Sequence, residues 1–300
     1  MNKNILSAGL YALLFLVAQL PSADACTLWG ATGARTRSGG TLIAKNRDKE
    51  PSQHGELRIV TRKGRRFLGL YYTGADRRRV IAGGINARGL CVLGASAGSV
   101  PRQKRNTGGQ GLSEHILTSF DSVDAVLKNQ KIFADTHPIF YIIGDRSKIA
   151  TVEVAPGGKF SVRSTDNGFL CHTNHYIGER LLRANEKIGT SSLARLKRIR
   201  QLMTTHASPF TLDDFKTFSE DGHGGPDRSI WRTGSTPERE RTLATWIVSI
   251  PRNDSPTLYV KLANIGEPER TYNLNLDSSF WAEHTRSGPL HGNALTVGAR

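Results

Sequence analysis

The stretch CTLWGATGARTRSGGTLIAKNRD, residues 26–48, begins with a cysteine and ends in a cluster of charged and amide side chains. It follows Ala-Asp-Ala at residues 23–25, an apolar run over residues 5–20 and a lysine near the start. A basic start, a short apolar centre and an Ala-x-Ala ending are typical of a secretory signal peptide. The apolar run is also short for a membrane span. We therefore predict a signal peptide over residues 1–25 and a mature chain, secreted or periplasmic, that begins at Cys26.

Three interpretations of Cys26 are open: a lipid anchor, half of a disulfide bond, or a nucleophile that uses its own α-amine as a base. A lipid-attachment site needs a leucine-like residue three positions before the cysteine, where this chain has Ala23. That difference disfavours the anchor. An α-amine has an ordinary pKa of about 7.7–8.0 and a thiol one of about 8.5, so one can take the other's proton near neutral pH. A terminal cysteine is thus a nucleophile that carries its own base.

Cysteine usage bears on the disulfide interpretation. The chain has three cysteines, Cys26, Cys91 and Cys171. An exported protein that depends on disulfides usually has more, in an even number. Cys91 and Cys171 both lie in apolar, strand-like sequence, so a bridge between them and two buried free thiols both remain open. If they pair with each other, Cys26 is left as a free reactive thiol.

The chain of 300 residues carries a formal net charge of +15. The charge is concentrated in the runs RKGRR at 62–66, RRR at 77–79, RQKR at 102–105 and RLKRIR at 195–200. Such runs can bind phosphate, but aromatic residues are sparse around them and no zinc-finger spacing occurs. These features, with the predicted export, argue against nucleic acid as a partner. A solvated basic surface, or a basic cleft rim that suits an anionic substrate, is the simpler interpretation.

Alternating and short apolar runs bounded by glycine predict many strands. They are GGTLIAKN, ELRIVTR, RFLGLYYTG, VIAGGIN, GLCVLGAS, PIFYIIGD, IATVEVA, GFLCHTNHY, TLATWIVSIP and TLYVKLANIG. One helical stretch is predicted from residue 112 to about residue 127. A second starts near residue 190, with Ser191 or Ser192 as its N-cap. Its apolar stripe is Leu193, Leu196, Ile199 and Leu202. This order of strands and helices predicts an α+β fold of layered sheets covered by helices.

The opening stretch resembles the start of N-terminal-nucleophile cysteine hydrolases, in particular the acyl-CoA:6-aminopenicillanate acyltransferase family. More distantly it resembles choloylglycine hydrolases and penicillin V acylases. These families open with Cys-Thr and later carry Asn, one variable residue and Asp. Further similar stretches follow in order, and the resemblance covers residues 26–275. They are GGINARGLCVLGAS at 83–96, CHTNHY at 171–176, SSLARLKR at 191–198, and DGHGGPDRSIWR at 221–232 followed by ERTLATWIVSI at 240–250.

The resemblance implies a four-layer αββα sandwich, one domain over residues 26–300, with Cys26 opening the first strand at the edge of a cleft between two sheets. It implies that Cys26 is the nucleophile and that Asp48 orients its amine or thiol and stabilises the ammonium. The resemblance also implies that Asn174 is the oxyanion donor, a role that suits a side-chain amide with its two uncharged N–H groups.

Three further residues have open interpretations. Asn86 matches another site asparagine but precedes Ala-Arg-Gly, so it is equally well explained as a turn residue. Arg195 matches the first arginine of the helix-start motif. A positive charge there opposes the helix dipole, so a local benefit to the helix does not explain the residue. Pairing with Asp48 or with a substrate carboxylate does. A solvated basic helix face is the alternative. Lys45 stands where many of these hydrolases have arginine; it keeps the charge and loses the bidentate fork, so a shared role is open.

The function implied is an exported cysteine amidohydrolase or acyltransferase that cleaves a linear N-acyl amide through a Cys26 thioester. One alternative is a choloylglycine-type hydrolase of bile-acid or penicillin V amides. Another is a non-catalytic exported protein that binds an anionic polymer. No cofactor is expected, and no metal: His172 and His175 point to opposite faces of a strand, and no third ligand is evident. No Gly-x-Ser-x-Gly elbow occurs.

Overall fold

The computed structural model describes residues 25–73, 78–105, 108–207 and 209–290, and the backbone of 294–297. The predicted signal peptide therefore lies outside the described residues, except for its last residue, Ala25. Over these ranges no helix is both long and apolar enough to cross a bilayer.

The described residues form fifteen strands and six α-helices. The strands are β1 (Ala25–Thr32), β2 (Thr41–Lys49), β3 (His54–Arg62), β4 (Arg65–Thr73), β5 (Arg79–Asn86), β6 (Cys91–Ser96), β7 (Ile139–Gly144), β8 (Ile149–Val154), β9 (Phe160–Thr165), β10 (Gly168–His172), β11 (Arg241–Ile250), β12 (Thr257–Leu262), β13 (Glu269–Asn275), β14 (Gly288–Pro289) and β15 (Ala294–Val297). The helices are α1 (Arg102–Arg105), α2 (Leu112–Ser119), α3 (Val123–Lys128), α4 (Thr190–Thr205), α5 (Leu212–Ser219) and α6 (Ser278–Glu283).

The strands form two antiparallel sheets. The first has the order β10-β1-β2-β11-β12-β13-β15, and the second has the order β14-β3-β4-β5-β6-β7-β8-β9. Apolar side chains from both sheets meet in a central core that includes Leu28, Leu68 and Trp246. A second core lies between the second sheet and α2 and α3, and a third lies between the first sheet and α4 and α5. The predicted αββα sandwich is confirmed.

Strand β2 is buried over its whole length, including its charged residues. Because side chains alternate along a strand, its odd-numbered residues face the second sheet and its even-numbered residues face the helices. Lys45 accordingly donates from Nζ to the carbonyl oxygen of Ala82 on β5, at 2.8 Å. Asn46 donates to the carbonyl oxygens of Ser219 and Ile230 on the helix side, at 2.7 and 2.9 Å. β2 thus carries polar groups into both layers at one end of the sheet.

All ten predicted strands are present, but the helices differ in detail from the prediction. The first helical stretch divides into α2 and α3, because Ser122 caps a new helix by accepting a hydrogen bond from the Ala125 N–H. The second helix has Gly189 at its N-cap and no side-chain cap, so the prediction of a serine cap was wrong. Leu193 of its predicted apolar stripe is exposed. Ser192 and Arg195 are buried instead, and the first two turns of α4 therefore present polar groups to the first sheet.

Candidate active site

Cys26 is the second residue of β1, an internal strand between β10 and β2. Its backbone nitrogen donates to Oδ1 of Asn174 at 2.8 Å, and its carbonyl oxygen accepts from Nη1 of Arg195 at 2.5 Å. In the chain of 300 residues this nitrogen is a peptide nitrogen, and it stands where the α-amine of a chain beginning at Cys26 would be. The side chain of Cys26 faces the space between the sheets, where it lines a cavity of about 380 Å³.

Arg195 connects α4 to the start of β1. Besides the Cys26 carbonyl, it donates from Nη1 to Oγ1 of Thr27 at 2.9 Å and from Nη2 to Oδ1 of Asn174 at 3.0 Å. Its side chain is fully buried, and burial lowers the pKa of its guanidinium, while the charge of Asp48 opposes that effect. These bonds explain the burial of a charged residue in the second turn of α4. They take the place of the direct pairing with Asp48 that the sequence suggested.

Asp48 lies beside this cluster on the helix face of β2. It is completely buried, and Oδ1 accepts a hydrogen bond from Oγ1 of Thr242 on β11 at 2.8 Å. Its Oδ2 lies 3.8 Å from Nη1 of Arg232 and has no hydrogen-bond partner among the described residues. Because Asp48 pairs with Ala25 across β1 and β2, this oxygen belongs to the end of the sheet where the chain enters Cys26. A buried carboxylate with an unused oxygen is suited to accept from an ammonium formed there.

Asn174 lies in the turn that follows β10. Its Oδ1 accepts from both Cys26 and Arg195, and its Nδ2 donates to the carbonyl oxygen of Ser96 at 3.0 Å. Its backbone N–H donates to Oγ of Ser192 at 3.0 Å. The structure therefore brings Cys26, Asn174 and Arg195 into one hydrogen-bonded cluster, with Asp48 beside it.

Residues 35–265 match the family model of acyl-coenzyme A:6-aminopenicillanic acid acyl-transferase. The chain belongs to this acyltransferase family. The match includes Asp48, Asn174 and Arg195 and begins after Cys26. Membership in this family supports an enzyme that acts on amides, as a hydrolase or an acyltransferase. No curated protein sequence matches it significantly.

Solved structures of low sequence identity have the same fold. Two variants of conjugated bile acid hydrolase from Clostridium perfringens superpose with TM-scores of 0.53 and 0.54 at 14% identity, over 90% of this chain and 99% of theirs. Penicillin V acylase from Agrobacterium tumefaciens superposes with a TM-score of 0.54 at 13% identity, over 85% of this chain and 89% of its own. The three structures support the N-terminal-nucleophile type of αββα sandwich.

Asn86, the other asparagine proposed from the family pattern, lies away from the cluster. It ends β5, and its side chain points to the helix side of the second sheet, where Nδ2 donates to the carbonyl oxygens of Leu117 and Phe120. Its Oδ1 accepts from the N–H groups of Arg88 and Leu90 in the β5–β6 turn. The structure does not bring Asn86 to Cys26, and the turn interpretation explains all of these contacts.

Lys45 lies on the same face of β2 as Arg47, the residue directly opposite Cys26 in the β1–β2 register. Both line the cavity, and the guanidinium of Arg47 stacks on Tyr72 with its carbon 4.1 Å from the ring centroid. Burial, and then the charges of Arg47 and Lys49, lower the pKa of Lys45 to about 8, although neighbouring Cys26 and Asp48 act in the opposite direction. Lys45 is therefore close to Cys26 and easily discharged.

Cys91, Cys171 and the two histidines have contacts of their own. Both cysteines are buried free thiols, so of the two open alternatives the free-thiol interpretation is confirmed. Burial raises the pKa of Cys171 to about 12. His172 contacts Glu153 of β8, and Nδ1 of His175 lies 2.8 Å from Oγ of Ser192.

Several residues of the site were missed from the sequence. Thr242 orients Asp48, Ser192 holds the Asn174 turn, and Arg47 lies opposite Cys26. Ser192 and Thr242 both stand inside the quoted motifs, SSLARLKR and ERTLATWIVSI, so the signal for them was present. Arg47 occupies the variable position of the Asn-x-Asp pattern, and its role follows only from the strand register.

The low pKa of Lys45 predicts a pH dependence of stability. Between pH 8 and 10.5 the unfolded chain keeps the Lys45 proton while the folded chain has lost it, so the free energy of unfolding should rise with pH. Lys45→Met has no such group, so its free energy of unfolding should not rise in this way. The difference in free energy of unfolding between the two proteins should therefore move by about 3 kcal/mol in favour of wild type across this range. Urea unfolding of both proteins at pH 7.5, 9 and 10.5 measures it.

Lys148→Met is the matched control for this experiment. A hydrogen bond from Lys148 to Asp124 raises the pKa of Lys148, so its contribution should be lost as pH rises, which is the opposite sign. Parallel curves for wild type and Lys45→Met across pH 8–10.5 would contradict the assignment of a discharged Lys45.

Proposed function

We propose that the protein is an exported cysteine amidohydrolase or acyltransferase that cleaves a linear N-acyl amide through a thioester on Cys26. In this proposal the signal peptide over residues 1–25 is removed, and the domain over residues 26–300 works in the periplasm or outside the cell. The observation that carries the proposal is the cluster at the Cys26 nitrogen. Asn174 accepts from that nitrogen, Arg195 binds the carbonyl of the same residue, and the thiol side faces a cavity.

The first half of the reaction forms the thioester. The α-amine of Cys26 takes the thiol proton, and Sγ bonds to the carbonyl carbon of the amide to give a tetrahedral oxyanion. In the cluster, Nδ2 of Asn174 has one N–H directed at Ser96 and a second that can donate to this oxyanion. Asp48 stabilises the ammonium through the oxygen that has no partner among the described residues.

The second half resolves the thioester. The carbon–nitrogen bond breaks, the ammonium returns its proton to the leaving amine, and the acyl group remains on Sγ. Water or another amine then attacks the thioester carbonyl, the amine of Cys26 again serving as base, and the free thiol is restored. Attack by water makes the enzyme an amidase, and attack by an amine makes it an acyltransferase. Away from cytoplasmic acyl-CoA we favour hydrolysis.

The cavity suggests the charge of the substrate. Its described lining has one acidic side chain, Glu50, against several basic ones: Lys45, Arg47, Lys49, Arg102 and Arg105. A cavity of this sign attracts an anion and raises its local concentration. An N-acyl amide with a carboxylate, such as an acyl-amino acid or a β-lactam side-chain amide, is therefore the substrate class we favour. Family membership supports this enzyme over an exported binder of anionic polymer.

Mass spectrometry tests the proposal directly. We expect the exported protein to have the intact mass of Cys26–Arg300 without a lipid. Acid quenching during turnover of an N-acyl amino acid should trap one acyl group on the peptide that contains Cys26. An uncharged amide of the same acyl group is the control substrate. It should react at least about tenfold more slowly, because losing the attraction between the substrate carboxylate and the basic cavity costs about 1.4 kcal/mol. Cleavage without acylation of Cys26, or a mature chain with another first residue, would show the proposal to be wrong.

A further inference from the structure

A buried acid–base pair lies next to the cluster without contacting Cys26. His172, the last residue of β10, places Nε2 at 2.8 Å from Oε1 of Glu153 on β8. The two side chains are only 1% and 6% exposed. The mechanism above uses neither of them. Burying two ionisable groups is costly unless every hydrogen-bonding position is satisfied, so a pair in this place calls for a reason.

The hydrogen bonds determine the protonation of His172. Its Nδ1 lies 2.9 Å from the carbonyl oxygen of Thr173, which can only accept, so Nδ1 carries a proton. Its Nε2 faces an oxygen of Glu153 that already accepts from the N–H groups of Ile177 and Gly178 at 2.7 and 3.2 Å. An oxygen with these donors is a carboxylate oxygen, so Nε2 carries a proton too. His172 is then an imidazolium paired with a carboxylate.

The pKa of Glu153 agrees with this assignment. Burial alone would raise it, but the hydrogen bond and positive charge of His172, with the backbone donors Ile177 and Gly178, hold the pKa of Glu153 below its ordinary value. His175 packs nearby, and burial together with the His172 charge lowers the pKa of its ring to about 4, so it is neutral at pH 7. The charges of Arg200 and Arg195 act in the same direction on His175, and the charge of Glu153 opposes them.

Glu153 holds both ends of the short segment from His172 to Gly178. Glu153 binds His172 on one side and the backbone of Ile177 and Gly178 on the other, and Asn174 lies between them. The approach is tight: a Cβ on Gly178 would lie 2.5 Å from Oε2 of Glu153. Gly178 has an ordinary φ of −72°, so it is this contact and no backbone strain that requires glycine.

We propose that the Glu153–His172 ion pair is a positioning device that sets the turn over residues 173–178, and through it the contact of Asn174 with the Cys26 nitrogen. The proposal rests on the function proposed above for its catalytic consequence. Both residues are positioning residues, because they act on the reacting atoms through Asn174. The charge of the pair matters, because an ionic pair fixes the length and direction of the bond between β8 and β10 more firmly than a neutral one.

The first test is a measurement on the wild-type protein and needs no activity. With nitrogen-15 in the histidine rings of the wild-type protein, His172 should show two protonated ring nitrogens at pH 7 that persist in slow exchange. His172→Gln identifies the signals by their loss. A neutral ring at pH 7, with one protonated nitrogen, would overturn the proposal even if the enzyme is active.

The second test measures function and turn order together. Glu153→Gln keeps the shape and removes the charge, and Gly178→Ala pushes against the carboxylate from the other side. For both we expect kcat to fall about 10- to 100-fold with KM within about threefold, since the pair acts on geometry rather than on binding. Backbone hydrogen exchange over residues 173–178 should speed up in both variants. The double variant Glu153→Gln/His172→Gln, a neutral amide pair, should recover part of the kcat lost in Glu153→Gln.

Asp214→Asn is the matched control, because His206 and Asp214 form a similar pair away from the cluster, 3.2 Å apart. It should lower stability and leave kcat unchanged. Unchanged kcat and unchanged exchange in both folded variants would overturn the positioning role. A wild type that never acylates Cys26 would overturn the proposed function alone, because the ring protonation and the exchange of the turn would still stand. If Glu153→Gln fails to fold, Gly178→Ala and the ring signals decide the question.

Discussion

Replacing Cys26 by serine is expected to lower the rate of amide cleavage by at least about 10³-fold while the protein keeps its fold. Serine is nearly the same size, and the contacts of Cys26 with Asn174 and Arg195 are made by backbone atoms, so they survive the change. The rate falls because the amine that can deprotonate a thiol near neutral pH is too weak a base for a hydroxyl group. Initial rates with the N-acyl amino acid, together with a thermal melt, measure both parts.

A second variant separates the thiol from the amine. In this variant one alanine is inserted before Cys26, and the mature chain begins at that alanine. The thiol is kept, and the free amine moves to the preceding residue. We expect the same loss of activity, because the described hydrogen-bond partner of the Cys26 nitrogen is the amide oxygen of Asn174, which cannot serve as the base in place of the amine. Cys171→Ala is the control, since that thiol is buried with its pKa near 12 and should be dispensable for cleavage. Full activity in either Cys26 variant would refute the self-base mechanism.

Asp48→Asn should lower kcat by about 10³-fold. The amide can still accept from Thr242, so the local geometry is kept, but the negative charge that stabilises the ammonium at Cys26 is lost. The variant also removes the buried negative charge that acts on Arg195 and lies 3.8 Å from Arg232, which should cost about 1–3 kcal/mol of stability. Urea unfolding and single-turnover kinetics distinguish the two effects.

Asp145→Asn provides the comparison for a buried carboxylate outside the cluster. Asp145 accepts from the N–H groups of Val123, Ser147 and Lys148 in the second sheet's outer layer. Its loss should lower stability by a similar amount and leave kcat alone. If Asp48→Asn behaved in the same way, with stability reduced and kcat preserved, Asp48 would be a structural residue.

The fold was predictable because the strands carry strong local signals. Glycine-bounded apolar runs identified β2 and β4–β8, and order along the chain suggested the layers. The strand β9 was missed because FSVRST is short, polar and only half-buried. The face of α4 was misjudged because an apolar stripe selects Leu193, whereas the structure buries Ser192 and Arg195, whose hydrogen bonds outweigh the cost of their burial.

The site was predictable only where a motif carried it. Asn174 and Arg195 meet at Cys26 across long sequence separations, which no local pattern shows. Asn86 was ambiguous because a turn asparagine and a site asparagine look alike in sequence. Arg47 and Glu153 depend on strand register and on a neighbouring turn, and those are properties of the assembled sheets.

The internal position of β1 has a consequence for the order of events during maturation. Ala25 and Cys26 are only 4% and 2% exposed, and they pair with Asp48 and Arg47 of β2. A processing peptidase must grip an extended backbone whose hydrogen bonds are unused. In the maturation proposed above, the bond between Ala25 and Cys26 therefore has to be cut before β1 is enclosed by its neighbouring strands. Under the same proposal, a chain that folds first shields this bond and keeps the Cys26 nitrogen in a peptide bond, without a free amine.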